Sequence, residues 1–299
     1  MIVRLLGVSS LLVGLALAGC QTADPLSAPG ARDVSAEAVA AADAAPGDWP
    51  TYLADGQPDI EGLWHYVGGS HGLNIEELPH PAYPGGISPT LVVDPPGGVL
   101  PFHPWARERR DEVLRNYLTP NQAQVDPQSR GWPDGVPRLN YYSHLIQILQ
   151  PPGYIVLLYE VQHEFRVIPL DGRPHAGSDI TLWMGDSRGR WEDDTLVVDV
   201  TNHNDSTRFA VTGEFHSDAM RLTERWTLVD RDTIEYRATV DDPQVYTGPW
   251  TLGITIKRDM GGPFAVGGEQ LDGNEILEYA GVEGERDVEM VIEDEPGPD

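Results

Sequence analysis

The second half of the chain consists of short segments rich in β-branched and aromatic residues, separated by turn residues. In 232–240, apolar Ile, Tyr, Ala and Val alternate with polar Glu, Arg and Thr, which is the period of a strand with one dry and one wet face. The run 195–201 alternates poorly, which indicates burial on both faces. This pattern predicts an antiparallel sheet. Its strands are expected at 144–150, 153–160, 163–169, 195–201, 219–229, 232–241 and 248–258.

The segment from 49 to 140 is different, being dense in Pro, Gly and Trp. We expect most of it to be ordered loop, because Pro and Gly favour turns. One short helix is predicted at 104–118, where apolar residues recur at helical spacing. Its apolar face is expected to hold Trp105, Val113, Leu114 and Tyr117.

These strands follow one another without helices between them, so they must bury their apolar face within the sheet itself. We expect about eight or nine strands in a mostly all-β protein whose antiparallel meander closes as an up-and-down barrel. A barrel of about eight strands can hold one small ligand in its interior. A two-sheet β-sandwich is the alternative, since the alternation of buried and exposed positions is the same in both.

The charge and composition of the chain restrict its class and partners. There are 47 acidic and 20 basic residues, giving a formal net charge of −27. A field of this sign repels phosphate backbones, so we exclude nucleic acid as a partner. With 40% hydrophobic and 22% charged residues, the chain is neither disordered throughout nor a polytopic membrane protein. A single β-rich domain is expected at 49–282, followed by a solvated acidic tail at 283–299.

The N-terminus has the features of an export signal: a basic residue, an apolar run too short to span a bilayer, and then small residues. The sequence LAGC at 17–20 resembles the lipobox of bacterial lipoproteins. This resemblance implies removal of residues 1–19 and lipidation of Cys20, with Gln21 favouring the outer membrane. Residues 20–48, rich in Ala, Pro, Asp and Ser, are expected to form a flexible tether.

Several longer segments of the body carry distinctive motifs. They are 55–64 (DGQPDIEGLW), 165–168 (FRVI), 171–175 (DGRPH), 189–199 (GRWEDDTLVVD), 215–218 (FHSD), 224–225 (ER) and 242–251. Together these resemble an uncharacterised family of secreted bacterial proteins, which implies export and no particular reaction. After Tyr279 the chain departs from that family, since AGVEG stands where a cysteine and paired asparagines are expected. Gly62-Leu63-Trp64 is similar to the first strand of lipocalin-like barrels, which implies the barrel form of the fold.

Nine histidines are available for acid–base chemistry, and none belongs to a tight metal-binding motif such as HExxH. Three of them have an aspartate close in sequence: the pairs are His203–Asp205, His216–Asp218 and His175–Asp179. In an extended strand, residues i and i+2 face the same side, so the carboxylate would orient the imidazole for proton transfer. The alternative is that these pairs are hydrogen-bonded loop anchors.

Another histidine, His163, lies within a segment of alternating polarity. If Glu160, Gln162, Glu164 and Arg166 share one face, then Val161, His163 and Phe165 share the other. A histidine on an apolar face is usually a satisfied core residue, but it is also a candidate site residue. If Arg221 and Arg225 point inward with His163, they are positioned to receive a carboxylate or enolate. Otherwise they are surface arginines paired with the abundant acids.

From these patterns we select two sets of candidate residues. The catalytic candidates are His163, His203, His216, Asp218 and Glu224. The ligand-binding candidates are Trp64, Tyr159, Arg166, Trp183, Arg221, Trp226 and Trp250. The aromatic members offer flat apolar walls with a polar edge, which suits a small aromatic ligand. Neither a metal site nor a cofactor is predicted.

Three functions are compatible with this sequence. The first is a lipid-anchored protein of the bacterial cell envelope that binds a small, largely apolar or aromatic molecule in a barrel pocket. The second is a cofactor-independent acid–base enzyme, a lyase, hydratase or isomerase, that uses histidine, carboxylate and arginine side chains in that pocket. The third is a structural or interaction lipoprotein with no pocket.

Overall fold

The computed structural model describes residues 50–68, 72–79, 87–142, 144–162, 164–259, 263–266 and 269–272. The predicted signal, tether and acidic tail lie outside these residues, as do Cys20 and His163. Among the helices of the described residues, none is long and apolar enough to cross a membrane.

The described part of the chain is mostly strand. The strands are β1 (Gly62–Tyr66), β2 (Leu78–Pro79), β3 (Ile87–Ser88), β4 (Val92–Asp94), β5 (Leu145–Leu149), β6 (Tyr154–Tyr159), β7 (Phe165–Pro169), β8 (Asp186–Glu192), β9 (Thr195–Thr201), β10 (Arg221–Asp230), β11 (Thr233–Asp241), β12 (Trp250–Arg258), β13 (Pro263–Val266) and β14 (Glu269–Asp272). One α-helix, α1 (Pro104–Arg115), and two 3-10 turns, Pro127–Arg130 and Arg138–Tyr141, precede β5. Every strand predicted in the second half is present.

Nine strands form a nearly closed antiparallel barrel, which confirms the predicted fold. Neighbours along the chain pair in two series, β1-β5-β6-β7 and β8-β9-β10-β11-β12, and β1 also pairs with β12. The pairing of β1 with β12 therefore joins the two series into one continuous sheet of nine strands, whose ends are β7 and β8. β4 lies off this path and pairs with β12 at Thr251 and Leu252, whereas β1 pairs with β12 at Ile256–Arg258. The alternation of buried residues along β10, β11 and β12 follows the predicted period of two.

The one break in this ring of pairs lies between β7 and β8, which we call the seam. With an odd number of strands, antiparallel alternation cannot continue around the whole ring, so β7 and β8 run in the same direction. Parallel neighbours need a long connection, and residues 170–185 supply it. Side chains still bring the two strands together: a Cβ on Gly189 would lie only 2.7 Å from Leu170 and 2.8 Å from Ile168. The glycine therefore permits the close approach.

The same alternation gathers several connections at one end of the barrel, the loop end. Residues 160–164, 202–220 and 242–249 all join strands there. Segment 101–103 is attached to the same end, because His103 N donates to Val245 O (3.0 Å) and Thr247 N to Pro101 O (2.7 Å). This attachment places α1 beside the connection 202–220.

Helix α1 differs from its prediction in length and orientation. It ends at Arg115 rather than at 118, and it buries Ala106, Arg110 and Val113. Trp105, expected on the buried face, is 53% exposed. The reason is electrostatic: Arg110 is drawn inward by ion pairs with the buried carboxylates of Glu76 and Glu214.

Candidate functional site

A polar network occupies part of the barrel interior, with Glu224 of β10 at its centre. The Glu224 carboxylate accepts hydrogen bonds from Asn140 Nδ2 (3.2 Å), Tyr236 Oη (2.7 Å) and both terminal nitrogens of Arg166. Arg166 also donates across the seam to Ser187 Oγ (3.0 Å). The buried charge of Glu224 is therefore paired and fully hydrogen-bonded, as buried charges must be. This arrangement suits a structural ion pair that holds β7, β8 and β10 together.

Tyr159 completes this network. Its hydroxyl donates to Asn140 Oδ1 (2.9 Å), and burial raises its pKa well above the ordinary value. Its phenol is therefore protonated at neutral pH.

Within 159–166 the structure places Phe165 and Arg166 on opposite faces, as the alternation predicts, but the buried face is the one that carries Arg166. Arg166 points into the barrel, whereas Phe165 is 62% exposed on the outside. The strand is interrupted between β6 and β7 by a turn in which Gln162 has a φ of 55°, so the period of two does not carry across it. Phe165 therefore does not belong to a buried apolar face, as it would if it shared one with Val161 and His163. His163 itself lies outside the described residues.

Two further arginines were considered as inward-pointing groups, and one of them, Arg221, was selected as a ligand-binding candidate; the structure places neither of them inside. Arg221 and Arg225 are both exposed on the outer face of β10, and Arg225 pairs with Glu192 (3.0 Å). Glu224, by contrast, is buried on the opposite face of the same strand. The arginines of β10 therefore match the alternative, a rim of surface charges.

The tryptophans chosen as ligand-binding candidates are mainly core residues. Trp64, Trp226 and Trp250 are buried, and Trp64 Nε1 donates to Ile60 O (2.9 Å). Trp183 differs, because it is half-buried and its ring lies 5.5 Å from that of Trp132 in an edge-to-face contact. This contact places Trp183 next to the pocket described below.

The connection 202–220 brings His203 and His216 together but not with their predicted aspartates. The two rings lie 5.7 Å apart. Asn202 has a φ of 61° and Gly213 a φ of 98°, so this segment is a folded loop rather than a strand, and the i, i+2 argument does not apply. Asp218 is exposed. His175 bonds to Asp186 (3.2 Å) rather than to Asp179.

The protonation state of His216 follows from its partners. Ring atom Nδ1 lies 2.9 Å from Ser217 O, which can only accept, so Nδ1 carries the hydrogen. Nε2 is then the acceptor for the Thr207 hydroxyl at 2.7 Å. Burial lowers the pKa of His216, in agreement with a neutral ring. His216 therefore polarises Thr207 by accepting its hydrogen.

His203 is neutral for a related reason. Burial is the main cause that lowers its pKa to about 3, and the proximity of His216 and the charge of Arg166 add to the effect. Its Nε2 is buried with no hydrogen-bond partner among the described residues, which a neutral nitrogen tolerates better than a charged one. His203 thus acts as a packed core residue behind His216.

A pocket of about 150 Å³ opens where α1, segment 121–132 and the connection 202–220 meet. Its apolar lining comprises Ala123, Val125, Pro127, Trp132 and Phe215. Its polar lining comprises Arg109, Arg130, Asp205, Ser206, Thr207 and Arg208. Thr207 and Phe215 are buried, whereas Arg109 and Asp205 are exposed at the rim. The pocket therefore lies beside the loop end and is lined by loop and helix residues rather than by barrel strands.

Of the residues selected from the sequence, His216 reaches this pocket through Thr207, and Trp183 reaches it through Trp132. The sequence argument missed Arg109, Arg130, Arg208 and Trp132. Arg109 lies on the predicted helix, whereas Arg130, Arg208 and Trp132 lie in segments without a periodic pattern. Nothing in the sequence indicated that these four residues converge. The candidate pairs His203–Asp205 and His216–Asp218 were the one usable indication, because both lie in the connection that lines this pocket.

Among the described residues, no group of three or more His, Cys, Asp or Glu side chains is arranged to hold a metal ion. No protein-family model matches the sequence, and no curated protein matches it.

Proposed function

We propose that this protein binds one small aromatic or compact apolar molecule in the pocket between α1, segment 121–132 and the connection 202–220. The observation that carries this proposal is a pocket with Trp132 and Phe215 in its apolar lining and polar groups beside them. Aromatic walls with a few placed polar groups are typical of small-molecule sites. A cavity of about 150 Å³ is large enough for a benzene-sized molecule, so a single ring is the expected occupant.

Titration calorimetry with single-ring compounds tests this proposal. We expect the purified protein to bind at least one member of a set containing benzoate, benzamide and benzyl alcohol. Replacing Trp132 with leucine should weaken that binding about tenfold, because one aromatic wall is lost. The matched control is Phe165→Leu, an exposed aromatic on the outer face of β7. Absence of binding across the set, or equal binding by Trp132→Leu, would count against the site.

An enzymatic role is the second candidate, and the contact between Thr207 and His216 favours it. A hydroxyl within 2.7 Å of a neutral imidazole is the arrangement of a nucleophile or proton donor with its base. Bound in the pocket, a ligand would meet this hydroxyl. Turnover that disappears in Thr207→Val while binding persists would favour catalysis; binding without turnover favours a carrier or sensor.

We further propose that the protein is exported and anchored by a lipid on Cys20, following the lipobox resemblance at 17–20. Expressed in a bacterial host fed a labelled fatty acid, the wild-type chain should take up the label and Cys20→Ala should not. The control is the total amount of each protein, measured with an antibody. Equal labelling of both chains, or labelling of neither, would contradict the anchor.

A further inference from the structure

Three guanidinium groups surround the proposed pocket, although the chain as a whole is strongly acidic. Arg109 comes from α1, Arg130 from the first 3-10 turn and Arg208 from the connection 202–220. Elsewhere in the described residues most arginines form ion pairs, as Arg138 does with Asp126 (3.0 Å). In the same described ranges, Arg109, Arg130 and Arg208 make no ion pair. The chain has 47 acidic residues that could pair with them. A cluster of three arginines without ion pairs is therefore a distinctive feature of this pocket.

Other contacts hold these guanidinium groups in place. Arg208 donates to the carbonyl oxygens of Gln124 (2.8 Å) and Ala123 (3.0 Å). The guanidinium of Arg109 lies 4.1 Å from the centre of the Phe215 ring, and that of Arg130 lies 5.6 Å from the Trp132 ring. None of these contacts neutralises the positive charge. The groups are therefore oriented before a ligand arrives, which lowers the entropy cost of binding.

The charges of this cluster also act on one another. Burial lowers the pKa of Arg208; Asp126 opposes this as the largest charge effect, and the charges of Arg109, Arg138 and Arg130 lower the pKa further. Arg130 Nε is buried without a hydrogen-bond partner in the described part of the chain. One carboxylate, Asp205, lines the pocket, so the lining residues still carry a net positive charge. An anion in the pocket would relieve this repulsion.

We propose that the ligand is a one-ring aromatic carboxylate, whose ring packs on Trp132 and Phe215 and whose carboxylate is received by Arg109, Arg130 and Arg208. This inference rests on the proposed function, because it specifies the chemistry of the same pocket. Guanidinium groups are the preferred partners of carboxylates, since they offer paired N–H donors in one plane. Aromatic walls without cations would accept any small ring equally well.

The test compares benzoate with benzamide, which has the same shape and no charge. By calorimetry, the wild-type protein should bind benzoate about tenfold more tightly than benzamide, and this preference should shrink as salt is added. Arg109→Gln should weaken benzoate binding about tenfold and change benzamide binding less than about twofold. Arg208→Gln should act in the same direction, and a thermal melt of each variant will confirm that it is folded. The matched control is Arg237→Gln, an exposed arginine on the outer face of β11 with the same charge change.

The possible results separate the two proposals. Equal affinity for benzoate and benzamide, both weakened by Trp132→Leu, would leave the binding function intact and overturn the carboxylate assignment. A benzoate preference that survives in both folded arginine variants would also overturn it. If phenyl phosphate binds more tightly than benzoate and depends on Arg109 in the same way, the ligand is an aromatic phosphate and the carboxylate assignment is overturned. Failure of all the single-ring compounds would count against the pocket itself.

Discussion

Replacing Glu224 with glutamine should lower the free energy of unfolding by about 3–5 kcal/mol. The substitution keeps the size of the side chain and removes the negative charge, so the buried guanidinium of Arg166 loses its counter-ion. Breaking one side of a buried pair is costly because the remaining charge is neither hydrated nor neutralised. Urea unfolding monitored by tryptophan fluorescence provides the measurement.

A surface pair offers the control for this experiment. Glu192 forms ion pairs with Arg225 (3.0 Å) and Arg190 (2.9 Å) on the exposed side of the sheet. Glu192→Gln should change the unfolding free energy by less than about 1 kcal/mol, since solvent screens exposed pairs. The double variant Arg166→Met with Glu224→Leu should be more stable than Glu224→Gln, because it leaves no buried charge. A loss below about 1 kcal/mol in Glu224→Gln would show that the network is not needed to hold the barrel.

Acidification should unfold this protein in part through His203. The folded ring has a pKa of about 3, whereas the ordinary value of 6.5 applies to the unfolded chain. The unfolded state therefore takes up a proton below pH 6.5 that the folded state does not accept. The stability contributed by His203 is complete above pH 6.5 and is lost progressively as the pH falls towards 3. Between pH 7 and pH 4 this loss amounts to about 3 kcal/mol.

The variant His203→Asn removes this contribution while every other titrating group stays in place. Urea unfolding of both proteins at several values between pH 7 and pH 4 gives two curves of stability against pH. The stability of the wild type relative to the variant should fall by about 3 kcal/mol over that range, because only the wild type carries an imidazole whose pKa is lowered by folding. His216 lies 5.7 Å from His203 and lowers its pKa, so the measured difference includes the coupling between the two rings. Parallel curves would mean that His203 takes up its proton equally well in the folded chain.

The extent to which sequence predicted this molecule depends on the presence of a repeating pattern. Alternation along 232–240 identified a strand and its buried face, and in β10 the same period of two puts Glu224 and Arg225 on opposite sides. Alternation did not carry from β6 into β7, because the positive φ of Gln162 interrupts the strand. Helix spacing likewise did not reveal that Arg110 would be buried, since the cause is a pair of carboxylates from distant segments.

The pocket was the least predictable feature for a similar reason. Trp132 and Phe215 lie more than eighty positions apart, and both belong to segments without periodicity. Their proximity depends on how the connections fold at the loop end, not on any local preference. The strongest local signal, the spacing of His203 and His216 from nearby aspartates, indicated the correct segment but the wrong partners.

Because the number of strands is odd, this barrel has one line along which two neighbouring strands share no backbone hydrogen bonds, the seam between β7 and β8. Everywhere else along the path from β8 through β1 to β7, separating two neighbours means breaking a ladder of amide hydrogen bonds. Between β7 and β8 only side chains must part, among them Arg166 and Ser187. Thermal widening of the cylinder will therefore concentrate on this one line, and water will gain its first access to the Glu224 carboxylate from that side.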